Sequence, residues 1–94
     1  MHGFPTPEDA ALSTLPAGIT HVVQIRAEPD SQSAYVLLAV EVRGTGYYLD
    51  ENICERDAHG FWIPGDSCGG GFTDRTLDDL RRHPPAQGIA TIGS

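Results

Sequence analysis

From Ile19 to Ala27 the odd positions are Ile19, His21, Val23, Ile25 and Ala27, while Thr20, Gln24 and Arg26 are polar and only Val22 breaks the alternation. A period of two marks a strand with one buried face. Glu28-Pro29-Asp30-Ser31-Gln32-Ser33 is turn chemistry, and it leads into Ala34 to Arg43, the most apolar and β-branched run in the chain. Its even positions Val36, Leu38, Val40 and Val42 are all apolar, which makes it the central strand; Glu41 and Arg43 bring its odd face to solvent at one end. Gly44-Thr45-Gly46 fits a tight hairpin, and Tyr47 to Arg56 follows as a third strand with Tyr47, Leu49 and Ile53 on one face. Asp57-Ala58-His59-Gly60 fits a type I turn closed by a glycine in the left-handed region. That turn would set Asp57 opposite Phe61, Arg56 opposite Trp62 and Glu55 opposite Ile63, with the Arg56 guanidinium over the Trp62 ring.

Two short helices flank the strands. Thr6-Pro7-Glu8-Asp9 is an N-cap, a proline at the first helical position and two acids at the positive end of the dipole, which predicts a helix over 7–14 stopped by Pro16 and Gly18. Near Thr73 to Asp79 a second helix begins, capped by Thr73 or Thr76, with Leu77 and Leu80 inward, Arg81, Arg82 and His83 at its negative end, and Pro84-Pro85 as its stop. Gly65 to Gly71 reads as a glycine-dense connector. The sum is an α+β domain over residues 1–85: a short N-terminal helix, an antiparallel meander of three to four strands and a short C-terminal helix, both helices on one sheet face. Residues 86–94 are expected as a flexible tail, although Gly88 to Ile92 fits an added edge strand.

Composition narrows the function. The chain has 94 residues, and its 13 acidic against six basic residues give a net charge of -7, a surface that repels nucleic acid and anionic membranes. All the basic residues are arginine, so Schiff-base, lysine-base and P-loop lysine chemistry have no residue to use. No basic leader with an apolar run and no membrane-length apolar window occurs, which predicts a soluble, cytoplasmic protein.

Candidate chemistry is sparse. Cys54, His59 and Cys68, with Asp57 and Asp66 nearby, are the one set that resembles a zinc site, but the tight two-cysteine knuckle is missing and no metal or other cofactor is expected. Two cysteines are too few for a disulfide scaffold and are expected as free thiols. Gly65-Asp66-Ser67-Cys68-Gly69-Gly70 resembles the nucleophile motif of trypsin-like serine proteases, yet departs at Cys68 and lies in a chain far too short for that double barrel. Gly69-Gly70-Gly71 before Phe72 offers an anion nest, with Asp74 and the acidity against it. The expected function is therefore a non-catalytic protein-binding or regulatory module, immunity- or adaptor-like, with a basic protein partner or a homodimer formed through the sheet. Its interaction surface is expected at Tyr35, Leu37, Tyr48, Arg56 and Trp62. The alternative is a small-molecule binder or small enzyme with a pocket between helices and sheet, using His21, Tyr35, Tyr48 or Asp50.

The opening Thr6-Pro7-Glu8-Asp9-Ala10-Ala11-Leu12, the strands after it and the Gly60-Phe61-Trp62 turn before a glycine-rich stretch resemble small α+β proteins of GC-rich, actinobacterial-type bacteria. That resemblance covers about residues 4–73 and implies a fold type without an activity. A helix followed by a curved antiparallel sheet is also similar to part of the cone-shaped nuclear transport factor 2-like domains, although this chain lacks the additional N-terminal helices that close the cone.

Overall fold

The computed structural model describes residues 3–27, 31–44 and 46–85. Its first element, α1 (Pro7–Leu12), is capped as its sequence predicts: the Thr6 side chain accepts from the Asp9 N–H, and Glu8 and Asp9 lie in the first turn. The helix stops at Leu12 rather than Thr14. Ser13 and Thr14 turn their hydroxyls onto the carbonyls of Ala10 and Ala11 (2.6 and 2.8 Å), and the backbone there tightens into i to i+3 bonds.

Five strands follow, β1 (Thr20–Arg26), β2 (Ser33–Val42), β3 (Gly46–Arg56), β4 (Trp62–Ile63) and β5 (Ser67–Thr73), and then α2 (Leu77–Arg82). Every pairing is antiparallel, in the order β1-β2-β3, with β4 and β5 both along the other side of β3. β4 meets the Arg56 end of β3 and β5 meets Tyr47 to Asn52, so the two are one strand line broken at Pro64, Gly65 and Asp66. The α+β antiparallel architecture is as expected, with five strands instead of three to four.

Three readings of the sequence need correction. The glycine-dense stretch is mostly strand: Gly69 faces Asp50, and a Cβ there would overlap the Tyr48 hydroxyl, so glycine serves close approach and not looseness. The alternation expected through β1 is broken by a register shift between Val22 and Gln24: His21 and Val23 keep to one face, but Ile25, expected with them, pairs with Val36 on the other face together with Val22. The helices lie on opposite faces of the sheet, not on one. α1 brings Ala10 and Ala11 onto Ala34, Val36, Leu38, Cys54 and Trp62, whereas Leu80 of α2 sits among Val23, Tyr35, Leu37, Ala39 and Leu49. The reason lies in β2, whose odd positions Tyr35, Leu37 and Ala39 are as apolar as its even ones, so both faces require cover.

α2 is six residues long and is held by more than its own turn. Thr76 accepts from the Asp79 N–H at its start, and Arg75 binds the Asp79 carboxylate at 2.5 Å while donating to the carbonyls of Asp79 and His83. That guanidinium holds the Asp79 carboxyl below its ordinary pKa. From the last turn, Arg81 Nε donates to the Val22 carbonyl at 3.0 Å, tying α2 to the bulge of β1. Among the described residues no helix is long and apolar enough to cross a membrane. The expected tail, residues 86–94, lies outside the described residues.

Candidate functional site

The β3–β4 turn is built as its sequence predicts. The Asp57 N–H donates to the Phe61 carbonyl at 2.8 Å, and the Asp57 carboxylate accepts from the N–H groups of His59 and Phe61 at 2.9 and 3.0 Å. Gly60 closes the turn at φ 86°, and Arg56 pairs with Trp62, its guanidinium 5.3 Å from the ring centroid. The Phe61 N–H above all, with that of His59, holds the Asp57 carboxyl below its ordinary pKa.

Beside this turn, where the β4–β5 line breaks, a cleft of about 600 Å³ opens. Ile53, Ile63 and Pro64 are its apolar lining, Glu55, Asp57 and Asp66 supply carboxylates, and the exposed thiol residue Cys68 borders it. Pairing of Ile63 with Glu55 and of Cys68 with Glu51 places the cleft on the α2 side of the sheet. Arg56 borders it too, but its cation is committed to Trp62 and to the Ser31 carbonyl, 2.9 Å away.

Asn52 holds the broken strand in place. Fully buried on the α1 side, it donates to the Gly65 carbonyl (3.1 Å) and to Ser67 Oγ (3.4 Å), and accepts from the Gly65 N–H (3.0 Å) and the Cys54 thiol (3.2 Å). Two positions back, Asp50 is only 4% exposed, and its Oδ2 accepts no hydrogen bond among the described residues. Burial raises the Asp50 carboxyl pKa, and the nearby Glu51 charge adds to this, while the Ser67 hydroxyl opposes it. A raised pKa means that the cost of the Asp50 charge is present in full above the folded value and is relieved as pH falls through it. Asp50→Asn should therefore stabilise the protein by about 1 kcal/mol at neutral pH. The gain should shrink as the pH approaches the carboxylate range; equal urea midpoints for variant and parent at neutral pH would refute it.

The structure does not bring the expected interaction residues onto one exposed face. Tyr35 and Leu37 are buried under α2, and the Tyr35 hydroxyl donates to Glu51 at 2.9 Å. Trp62 is buried on the α1 side, with Arg56 over it. Tyr48 is half-buried and packs edge-on against Phe72, with centroids 5.1 Å apart. Of the residues weighed for a ligand pocket, His21 and Tyr35 lie on the α2 side and Tyr48 and Asp50 on the α1 side, so the sheet separates them. His21 instead meets Glu41 at 2.6 Å and the edge of Tyr47.

Cys54, weighed as a zinc ligand, is fully buried on the α1 side, and burial pushes its thiol pKa up. Cys68 is exposed on the other face and both thiols are free. His59 sits in the exposed turn. Among the described residues no three His, Cys, Asp or Glu side chains are grouped to hold a metal ion.

Sequence reasoning missed Phe72, at 72% exposure the most exposed large apolar residue described, and the edge that carries it. Among the described residues β5 pairs only with β3, and its strand Ser67–Thr73 contains no charged residue. On the other edges of the sheet single backbone groups are taken, and β1 also carries the charged Arg26. Phe4 exchanges two backbone bonds with Trp62 (2.8 and 2.7 Å) on the outer side of β4, and Arg81 occupies the Val22 carbonyl of β1. No known family model, curated protein or solved structure matches the chain.

Proposed function

We propose that the protein is an acidic, non-catalytic binding module that takes up an extended segment of a partner protein along β5. The observation that carries this reading is the edge of β5, uncharged and unpaired among the described residues, with Phe72 exposed beside Tyr48. Sheet edges of this kind are normally blunted by charges, prolines or a covering segment, and an edge left open is a template for an added strand. Charge selects the occupant. Asp66 and Asp74 flank β5 at its two ends and the whole chain carries -7, which favours a basic segment and opposes a second copy of the same acidic chain.

The test is selection of short peptides from a displayed random library, followed by backbone amide exchange on the complex. Binders should slow exchange at Ser67 to Thr73, and Phe72→Asp, a change at an exposed position, should weaken them about tenfold. Binding that leaves β5 exchange unchanged would remove the reading, as would β5 protection in a dimer of the free protein.

A further inference from the structure

We infer that the cleft at the start of β5 receives a lysine or arginine side chain from the segment that adds to this edge; this inference rests on the reading of β5 as a docking strand. Phe4 already occupies the outer side of Trp62 in an antiparallel bridge, which shows that this strand line accepts an added strand and marks where a further one must end. A segment laid along Ser67–Thr73 has roughly seven residues, about 23 Å, before it runs into Phe4. It terminates at the Pro64, Gly65 and Asp66 break, where the cleft opens.

The lining then decides which side chain enters. Ile53, Ile63 and Pro64 match the aliphatic stem of lysine or arginine, and Glu55, Asp57 and Asp66 meet a cationic head at the mouth. The exposed Glu55 and Asp66 carboxylates repel an acidic residue and offer a purely apolar one no partner for its end. The one cation among the described residues of the cleft wall, Arg56, is drawn away by Trp62 and the Ser31 carbonyl and does not neutralise them. Asp57 stays ionised to lower pH than an ordinary aspartate because the Phe61 and His59 N–H groups hold its carboxylate. At the other end of the edge, Phe72 and Tyr48 offer an apolar contact, so the fitting segment is extended, with an apolar residue at one end and a basic one at the other.

Cys68 supplies the readout, since it is exposed on the cleft wall while Cys54 is buried. The probes are blocked heptapeptides of alternating valine and threonine ending in arginine or in glutamate, and free agmatine, a small arginine-like cation. The arginine peptide should slow alkylation of Cys68 by iodoacetamide, protect β5 amides and bind about tenfold more tightly than the glutamate peptide. The double variant Glu55→Gln with Asp66→Asn, both exposed positions, should cut the preference for the arginine peptide to about threefold or less, Asp57 remaining, with an unchanged urea midpoint. Equal binding of both peptides to the parent, with β5 protected, would overturn the cleft inference and leave the docking edge standing. Absence of β5 protection by either peptide would overturn both. Shielding of Cys68 by agmatine as effective as by the peptide, without β5 protection, would make the occupant a free cation and overturn the strand-borne side chain.

Discussion

Leu80→Ala is expected to destabilise the protein by about 3 kcal/mol and to release α2 from the sheet. Leu80 is fully buried, the one such residue in a helix of six, and it fills the space among Val23, Tyr35, Leu37, Ala39 and Leu49. A helix of that length has no stability of its own in water, so its existence depends on what it buries. The remaining anchors are Leu77, only partly buried against the same cluster, and the partly or wholly exposed contacts of Arg75 with Asp79 and Arg81 with the Val22 carbonyl, each of which contributes less than Leu80. A domain of this size holds roughly 5 to 10 kcal/mol in total, so the variant would keep only a fraction of it. Urea unfolding measures the loss, and amide exchange at Val23, Tyr35 and Leu37 shows whether their cover has gone. A midpoint close to the parent's would mean that Leu77 and the polar contacts hold α2 without Leu80.

The second large effect falls on Asn52. Asn52→Ala should cost about 2 to 3 kcal/mol, because four hydrogen bonds end on one buried amide and the Gly65 backbone loses both of its partners there. The consequence is local as well as global: the break between β4 and β5 loses its tie to β3, so the cleft should loosen before the sheet melts. Faster alkylation of Cys68 and faster exchange at Ser67 under native conditions are the expected signs. If stability falls while both rates stay at the parent's values, the amide supports the core without shaping the cleft.

The chain announces some of this and conceals the rest for identifiable reasons. Caps and turns are legible because they depend on neighbours in sequence: Thr6 and Pro7 start α1, Thr76 starts α2, and Asp57 to Gly60 fixes the pairing of Arg56 with Trp62. What depends on distant partners is not legible. The two-sided burial of β2 leaves no period from which to tell one covered face from two, and the chain resolves it by sending α1 and α2 to opposite sides. The bulge at Val23 carries no local signal, since three apolar residues in alternation look the same with or without it. β5 is hidden because glycines usually argue against a strand, and only the overlap with Tyr48 explains Gly69. Of the site, the acidic residues were visible as composition, but the break at Pro64 to Asp66 that gathers Glu55, Asp57 and Asp66 around Ile53 and Ile63 appears only in three dimensions.

The division of the interior by β2 also sets how the protein can change. Ala34, Val36 and Leu38 answer to α1, while Tyr35, Leu37 and Ala39 answer to α2, and the two sets share a backbone but no packing partners within their clusters. Substitutions on opposite sides are therefore close to additive, and those on one side are coupled. Such a chain can redraw one packing layer while the other keeps the sheet intact, so its two faces are free to diverge at different rates.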